Sequence, residues 1–183
     1  MIEVSVNGIF ITQTQASGII LKEQTGNRAL PIVIGEYEAQ SIALALENLT
    51  PPRPITHDLM ANILQQLDLT MESVIITELK ENTYYAIIRL RRDVEVIEVD
   101  ARPSDAIALA VRLGASIYVN EEVMDEAAYI PEEKEIDQKD FLFKSDSDEL
   151  ERLKKELKKA VEKEEYEKAA QIRDKIRKLE SRS

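Results

Sequence analysis

Two segments of the chain repeat the same order of apolar and polar positions. Each has three strand-like stretches of alternating or short apolar runs, followed by a segment with the 3.6-residue apolar period of a helix. Shifting the chain by 65 positions places Ser41 on Ala106 and superposes the two helical segments. The pattern predicts an α+β fold in which a unit of three strands and one helix is duplicated within one domain. The predicted strands are residues 2–14, 19–23, 30–34, 72–79, 84–90 and 94–99, and the predicted helices are residues 36–48 and the segment after Arg102-Pro103.

A further helix and a short strand are predicted outside the repeated unit. Pro51 to Pro54 is a stiff connector, and Thr56 is predicted to cap a helix at 57–67. The strand is predicted at 116–119. The apolar positions of the connecting helix are expected to face the core; they are Leu59, Met60, Ile63, Leu64 and Leu67.

The C-terminal part of the chain has a different character. Residues 131–147 are acidic and poor in apolar side chains, which predicts a flexible linker after a domain at 1–130. Residues 148–183 carry two apolar stripes, which predict an α-helical hairpin. Because so small a hairpin cannot bury a core alone, we expect it to bind a protein partner or to make the chain a homo-oligomer.

Composition limits the classes of function. The chain has no cysteine, which excludes disulfides and thiolate metal sites. It has no apolar run long enough to span a membrane and no signal peptide, so we expect a cytoplasmic protein without membrane contact. The net charge is -11, and an acidic body repels nucleic acid unless a basic cleft or bound cations intervene.

The most concentrated group of candidate residues is the corner Asp100-Ala101-Arg102-Pro103-Ser104-Asp105, where a strand becomes a helix. One interpretation is structural: Arg102 pairs with Asp100 or Asp105 and steadies the helix entrance. The other is a site in which Asp100 and Asp105, with Glu38 or Asp58, bind a divalent cation while Arg53 and Arg102 bind phosphate. Oxygen ligands favour Mg²⁺, Mn²⁺ or Ca²⁺ over Zn²⁺ for such a site, and we expect Mg²⁺ or Mn²⁺.

His57 is the single histidine of the chain and precedes Asp58. It is interpreted either as a residue that positions a loop at a helix start or as a general base or phosphate contact. The sequence has no glycine-rich phosphate loop and no serine nucleophile elbow.

Three strings, LPIVIGEYEAQSIALAL, PRPITHDL and IEVDARPSDAIALAVR, resemble the bifunctional nuclease family. The resemblance implies the duplicated fold and a nuclease that acts on DNA and RNA. Five candidates are matched motif positions, to which the resemblance assigns no role: His57, Asp58, Asp100, Arg102 and Asp105. From their chemistry we assign His57, Asp58 and Asp105 to catalysis, Arg53 and Arg102 to substrate binding, and Asp100 and Asp105 to a metal. The tail string YEKAAQIRDKIRKL is similar to the UVR motif of the bacterial excision nuclease, which implies a helical hairpin for protein–protein contact.

Two functions are therefore weighed. The first is a nuclease of broad specificity that depends on Mg²⁺ or Mn²⁺, takes nucleic acid as substrate and binds a partner through residues 148–183. The second is a non-enzymatic regulatory or scaffold protein that binds a ligand or partner proteins.

Overall fold

The computed structural model describes residues 1–12, 15–131 and Arg173. The described part contains one seven-stranded sheet and four helices, which confirms the mixed class. The strands are β1 (Ile2–Ile11), β2 (Ser17–Glu23), β3 (Ala29–Ile34), β4 (Thr70–Lys80), β5 (Thr83–Arg92), β6 (Glu95–Ala101) and β7 (Ser116–Val119). The helices are α1 (Glu36–Leu46), α2 (Thr56–Gln66), α3 (Pro103–Leu113) and α4 (Glu121–Ala127).

The sheet has the strand order β3-β2-β1-β7-β4-β5-β6. In each half, three consecutive strands pair antiparallel, and the third strand leads into a helix, α1 or α3. The short β7 joins the halves, antiparallel to β1 and parallel to β4. The two halves therefore meet at the centre of one continuous sheet, and their helices pack against each other.

The two helix entrances correspond at a spacing different from the one predicted. Glu36 begins α1 and Pro103 begins α3, so equivalent positions are 67 apart, not 65. A shift of two residues turns a helix by about 200°, so matching apolar letters alone misassigns the faces. At the correct spacing Glu38 is the equivalent of Asp105, and Gly35 is the equivalent of Arg102.

The core lies between the sheet and helices α1, α2 and α3. Helix α3 is central: every residue from Ala106 to Ala110 is buried, and the helix contacts α1, α2 and three strands. Small alanines let these neighbours approach closely, while Ile107 and Leu109 fill the interior. The helix that carries the predicted polar corner is thus held on all sides.

Helix α2 departs from its predicted orientation. Leu59, Met60, Ile63 and Leu67 are exposed, so the prediction that they face the core was wrong. Leu64 is partly buried, whereas His57 and Ala61 are buried on the inner side. Close packing against α3 admits the small Ala61 and a hydrogen-bonded imidazole there, which leaves the larger apolar side chains outside.

The predicted cap of this helix was also wrong. Thr56 is its first helical residue, and Ile55 is the N-cap. The backbone N–H of Ile55 donates to Asp58 Oδ2 at 3.0 Å, so the Asp58 carboxylate satisfies the helix start.

Other boundaries differ in smaller ways. The first strand contains a bulge, since its register shifts between Val6 and Gly8. Pro31, which cannot donate a backbone hydrogen bond, lies in the edge strand β3. Helix α4 was not predicted.

The predicted linker at 131–147 and hairpin at 148–183 lie outside the described residues except for Pro131 and Arg173, which is helical and exposed. In the described part, no helix is long and apolar enough to cross a membrane.

Gly114 ends α3 with φ of 68°, a left-handed conformation that a side chain disfavours. A Cβ there would meet nothing within 4 Å, so the cost is conformational only. We expect Gly114→Ala to lower the free energy of unfolding by about 1 kcal/mol. Gly114→Asn is the matched control and should lose less, because asparagine tolerates this region. Equal losses in urea denaturation would contradict the conformational explanation.

Candidate functional site

A cleft of about 650 Å³ opens beside the first turns of α1, α2 and α3. Its lining combines polar and apolar residues that are far apart in the sequence. The polar lining residues are Glu38, Gln40, Ser41, Thr56, His57, Arg102 and Asp105. The apolar lining residues are Tyr37, Leu44, Pro51, Ile55 and Met60.

Arg102 connects the two equivalent helix entrances. Its Nε donates to Asp105 Oδ2 at 2.6 Å, and its Nη2 donates to Asp105 Oδ1 at 3.0 Å. The same Nη2 donates to Glu38 Oε1 at 2.9 Å. The Arg102 side chain is nevertheless 66% exposed, so its guanidinium is both held and accessible.

His57 lies between Asp105 and Ser41. Its Nε2 is 3.2 Å from Asp105 Oδ1, and its Nδ1 is 2.8 Å from Ser41 Oγ. Ser41 Oγ also accepts a hydrogen bond from Arg112 Nη2 at 3.0 Å. Because the Asp105 carboxylate can only accept, its hydrogen bond with Nε2 assigns a ring proton to Nε2, which donates to Asp105. The Ser41 hydroxyl, which accepts from Arg112, can donate its own proton to Nδ1.

Arg112 is the second arginine of this network and lies beneath the cleft. Its Nε donates to Asp58 Oδ1 at 2.6 Å, and its Nη groups donate to the carbonyl oxygens of Ala108 and Ser41. With only 10% of its side chain exposed, Arg112 ties α1, α2 and α3 together. The histidine is thus held by a polar network that is satisfied on both sides.

The carboxyl groups are shifted towards their charged forms. Burial raises the pKa of Asp105, but hydrogen bonds from Arg102 and His57 outweigh it and leave the pKa below its ordinary value. Burial likewise raises the pKa of Asp58, and Arg112 and the Ile55 N–H lower it by more. The pKa of Arg102 is raised, first by its hydrogen bond to Asp105.

The structure brings some of the predicted site residues together and not others. His57, Arg102 and Asp105 line one cleft, together with Glu38. Asp58 does not line it, because its carboxylate faces Arg112 and Ile55. Arg53 is exposed in the connector between Pro52 and Pro54, outside the cleft lining, and makes no hydrogen bond or ion pair with the described residues.

Asp100 is separated from this cleft by the sheet. It lies opposite Ile87 on β5, while its neighbour Ala101 lies opposite Ala86, which is buried beneath the helices. Because successive residues of a strand point to opposite faces, Asp100 lies on the face away from α3. The structure therefore does not bring Asp100 and Asp105 together.

The donor set does not fit a preformed divalent-cation site. In residues 1–12 and 15–131, no group of three or more His, Asp or Glu side chains is placed to bind a metal. Both oxygens of Asp105 already accept hydrogen bonds from Arg102, and Asp100 is on the other face. Mg²⁺ or Mn²⁺ binding remains a prediction.

Ser41 and Arg112 were missed at the sequence level. Each carried a signal: a serine inside an apolar helical run, and an arginine near the end of the duplicate run. A polar residue in the middle of a buried helix needs a partner, so the two together indicated a buried polar contact between the copies.

The fold and the cleft define a class of protein. In this class a duplicated unit forms one domain, and the N-termini of α1 and α3 meet at one polar cleft. Residues 19–132 match the family model for the bifunctional nuclease domain, and residues 147–182 match the UvrB/uvrC motif. The chain belongs to the bifunctional nuclease domain family and carries a UvrB/uvrC motif at its C-terminal end.

Relatives support this family. An uncharacterized protein of Mycobacterium tuberculosis is 43% identical over 135 residues, which cover 73% of this chain and 80% of the relative. Bifunctional nuclease 1 of Oryza sativa subsp. japonica is 30% identical over 57% of this chain and 33% of its own length. Bifunctional nuclease 2 of Arabidopsis thaliana is 26% identical over 91% of this chain and 56% of its own length.

The Asp58–Arg112 pair should contribute to stability in a pH-dependent way. The folded-state pKa of Asp58 lies below its ordinary value of 3.8. The stabilisation is therefore fully present above pH 3.8 and is lost as the pH falls through the folded-state pKa of Asp58. We expect Asp58→Asn to lower the free energy of unfolding by about 2 kcal/mol at neutral pH. The difference from wild type should shrink below pH 4 in urea titrations. Asp100→Asn, which is exposed, is the control; an equal loss there would contradict the assignment.

Proposed function

We propose that the domain is a nuclease of broad specificity that hydrolyses phosphodiester bonds of DNA and RNA in the cleft beside Arg102. One observation carries the proposal: an imidazole, a carboxylate and an accessible guanidinium are joined in one cleft. Membership of the bifunctional nuclease domain family and the names of the plant relatives support it.

The residues divide into three roles. Arg102 binds a non-bridging phosphate oxygen, and exposed Arg53 binds a neighbouring phosphate of the same strand. The Asp105 carboxylate, held by the Nε2–H of His57, takes a proton from the attacking water, and the same carboxyl group returns one to the leaving sugar oxygen. The bond from the water oxygen to phosphorus forms as the bond from phosphorus to the sugar oxygen breaks. Ser41 orients the ring of His57 and does not touch the substrate.

Asp58 is assigned a positioning role in this proposal. It holds Arg112 and the start of α2, and thereby fixes where His57 enters the cleft. Asp100 takes no part, because it lies across the sheet.

Substrate binding must change the partners of Arg102. Among the described residues that line the cleft, Arg102 is the one arginine or lysine, and it already faces Glu38 and Asp105. A phosphate that displaces one carboxylate from Arg102 frees that carboxylate for proton transfer. In this exchange Arg102 contacts the phosphate and not the base. The contact is therefore independent of sequence, which is consistent with a nuclease that acts on both DNA and RNA.

The direct test is cleavage of DNA and RNA by purified His57→Gln and Asp105→Asn, with intact cooperative unfolding as a check of folding. We expect kcat to fall about 100-fold or more in each variant, because proton transfer is lost. Arg102→Gln should mainly raise KM. Asp100→Asn and Arg91→Gln are matched controls on other surfaces and should retain activity. Unchanged cleavage in both His57→Gln and Asp105→Asn, or activity that separates from the protein during purification, would contradict the proposal.

Metal dependence is a separate prediction, and the same cleavage assay tests it when a chelator and metal ions are added. If the reaction depends on Mg²⁺ or Mn²⁺, chelation with EDTA abolishes cleavage and either ion restores it. Cleavage that continues in EDTA removes the metal from the proposal and leaves the roles of His57 and Asp105 intact.

One observation favours the alternative of a non-enzymatic regulatory or scaffold protein. Without substrate, the carboxylates of Glu38 and Asp105 offset the positive charge of Arg102. The cleft then has little electrostatic attraction for a polyanion. If no condition yields cleavage that tracks with the protein, the cleft is a ligand or scaffold site.

The UvrB/uvrC motif at 147–182 supports a protein partner for the C-terminal segment. We further propose that the protein works in the cytoplasm, in keeping with its lack of cysteine.

We expect a chain ending at residue 147 to keep the thermal unfolding transition of the domain and its nuclease activity. It should lose a partner that the full chain retains in pull-down. Loss of cooperative unfolding would show that the domain needs the segment.

A further inference from the structure

Helix α2 turns its largest apolar side chains to solvent. Leu59, Met60, Ile63 and Leu67 are each between 41% and 53% exposed. In most globular domains the apolar stripe of a helix faces the core, and a contiguous exposed stripe marks a contact with another molecule.

The exposed side of α2 carries no charge. From Leu59 to Leu67 the sequence has no Asp, Glu, Lys or Arg, although these residues make up 32% of the chain. Its polar positions are the amides Asn62, Gln65 and Gln66. Asp58, at the start of the helix, is turned inward to Arg112. A surface without cations cannot bind a nucleic-acid backbone, and one without charge gives no attraction to a charged peptide.

We propose that this face of α2 is the contact between two copies of the chain, packed as antiparallel helices about a twofold axis through Ile63. Leu59 and Leu67 each lie four residues from Ile63, one on either side. Antiparallel packing therefore places Leu59 of one copy against Leu67 of the other and Ile63 against itself. The apolar pattern is self-complementary, as an isologous contact requires.

Charge favours a second copy at this place over other surfaces. Each chain carries a net charge of -11, so two copies associate best where neither presents charge. The edge strand β6 carries Glu95, Glu98 and Asp100, and pairing it with itself would gather like charges. The open face of the sheet carries the ion pairs Arg89–Glu98 and Arg91–Glu72.

The contact would also reach the cleft. Met60 belongs both to the cleft lining and to the exposed face of α2. The C-terminal end of the second α2 then lies near Met60. The inference is independent of the proposed function, since it rests on the surface of α2 alone.

Cysteine cross-linking tests the geometry in the full chain. Because the chain has no cysteine, Ile63→Cys gives one thiol per copy, and the twofold axis brings the two thiols into reach of each other. We expect mild oxidation at low micromolar protein to convert most of the protein to a covalent dimer. The matched control is Val94→Cys, which is 94% exposed outside this face and should stay largely monomeric. Equal cross-linking of the two variants overturns the proposal.

Sedimentation velocity supplies the second measurement. The wild-type chain should dimerise, and Ile63→Glu, which sets two carboxylates against each other on the axis, should weaken the dimer by about 10-fold or more. Val94→Glu should not. A monomeric wild type overturns the proposal. A dimer that survives Ile63→Glu and gives no Ile63→Cys cross-link also overturns it, and assigns association to another surface such as residues 148–183. If Ile63→Glu does not fold, the cysteine result decides.

Discussion

The guanidinium of Arg102, held between Glu38 of α1 and Asp105 of α3, is the contact on which the cleft depends. The two carboxylates occupy equivalent positions in the two copies of the duplicated unit. Arg102 itself occupies the N-cap position that is Gly35 in the other copy. A single arginine in one copy therefore joins both helix entrances and makes an otherwise symmetrical arrangement asymmetrical. The polar cleft is the result of that asymmetry.

The two arginines of the network have different surroundings and different consequences. Arg112 is almost fully buried, and its donors are matched by Asp58, Ser41 and the Ala108 carbonyl oxygen, so it stabilises the packing of three helices. Removing one partner of such a buried pair is costly, because it leaves an uncompensated charge. Arg102 is mostly exposed, and water or a phosphate can replace its partners at little cost. His57 lies between the rigid part of the network and the exchangeable part, and the proposed proton transfer uses that placement.

Much of the fold followed from local patterns, and the exceptions have physical reasons. Turn residues and alternation located the strands, and the duplicated run located the two entrances. The face of the sheet on which Asp100 lies could have been predicted, because alternation along β6 places Ile97, Val99 and Ala101 on one face and Glu98 and Asp100 on the other. The exposure of Ile63 was not predictable, since amphipathic periodicity gives the direction of a stripe relative to its helix and not what covers it.

The candidate site was predictable in its members and not in its connections. The polar corner and the single histidine indicated Arg102, Asp105 and His57, which the structure places in one cleft. The connections through Ser41 and Arg112 depend on how α1 crosses α3, which is a tertiary property.

The most direct measurement is a titration of the protein with a non-hydrolysable dinucleotide, followed in ¹H–¹⁵N spectra of the His57 ring and the arginine Nε–H groups. A single histidine makes the ring signals unambiguous. The account predicts shifts at Arg102 Nε–H and at the His57 ring, with Arg112 unmoved and the His57 shift abolished in Arg102→Gln. Binding that leaves these signals in place and instead moves Arg89 or Arg91 on the open sheet face would contradict it.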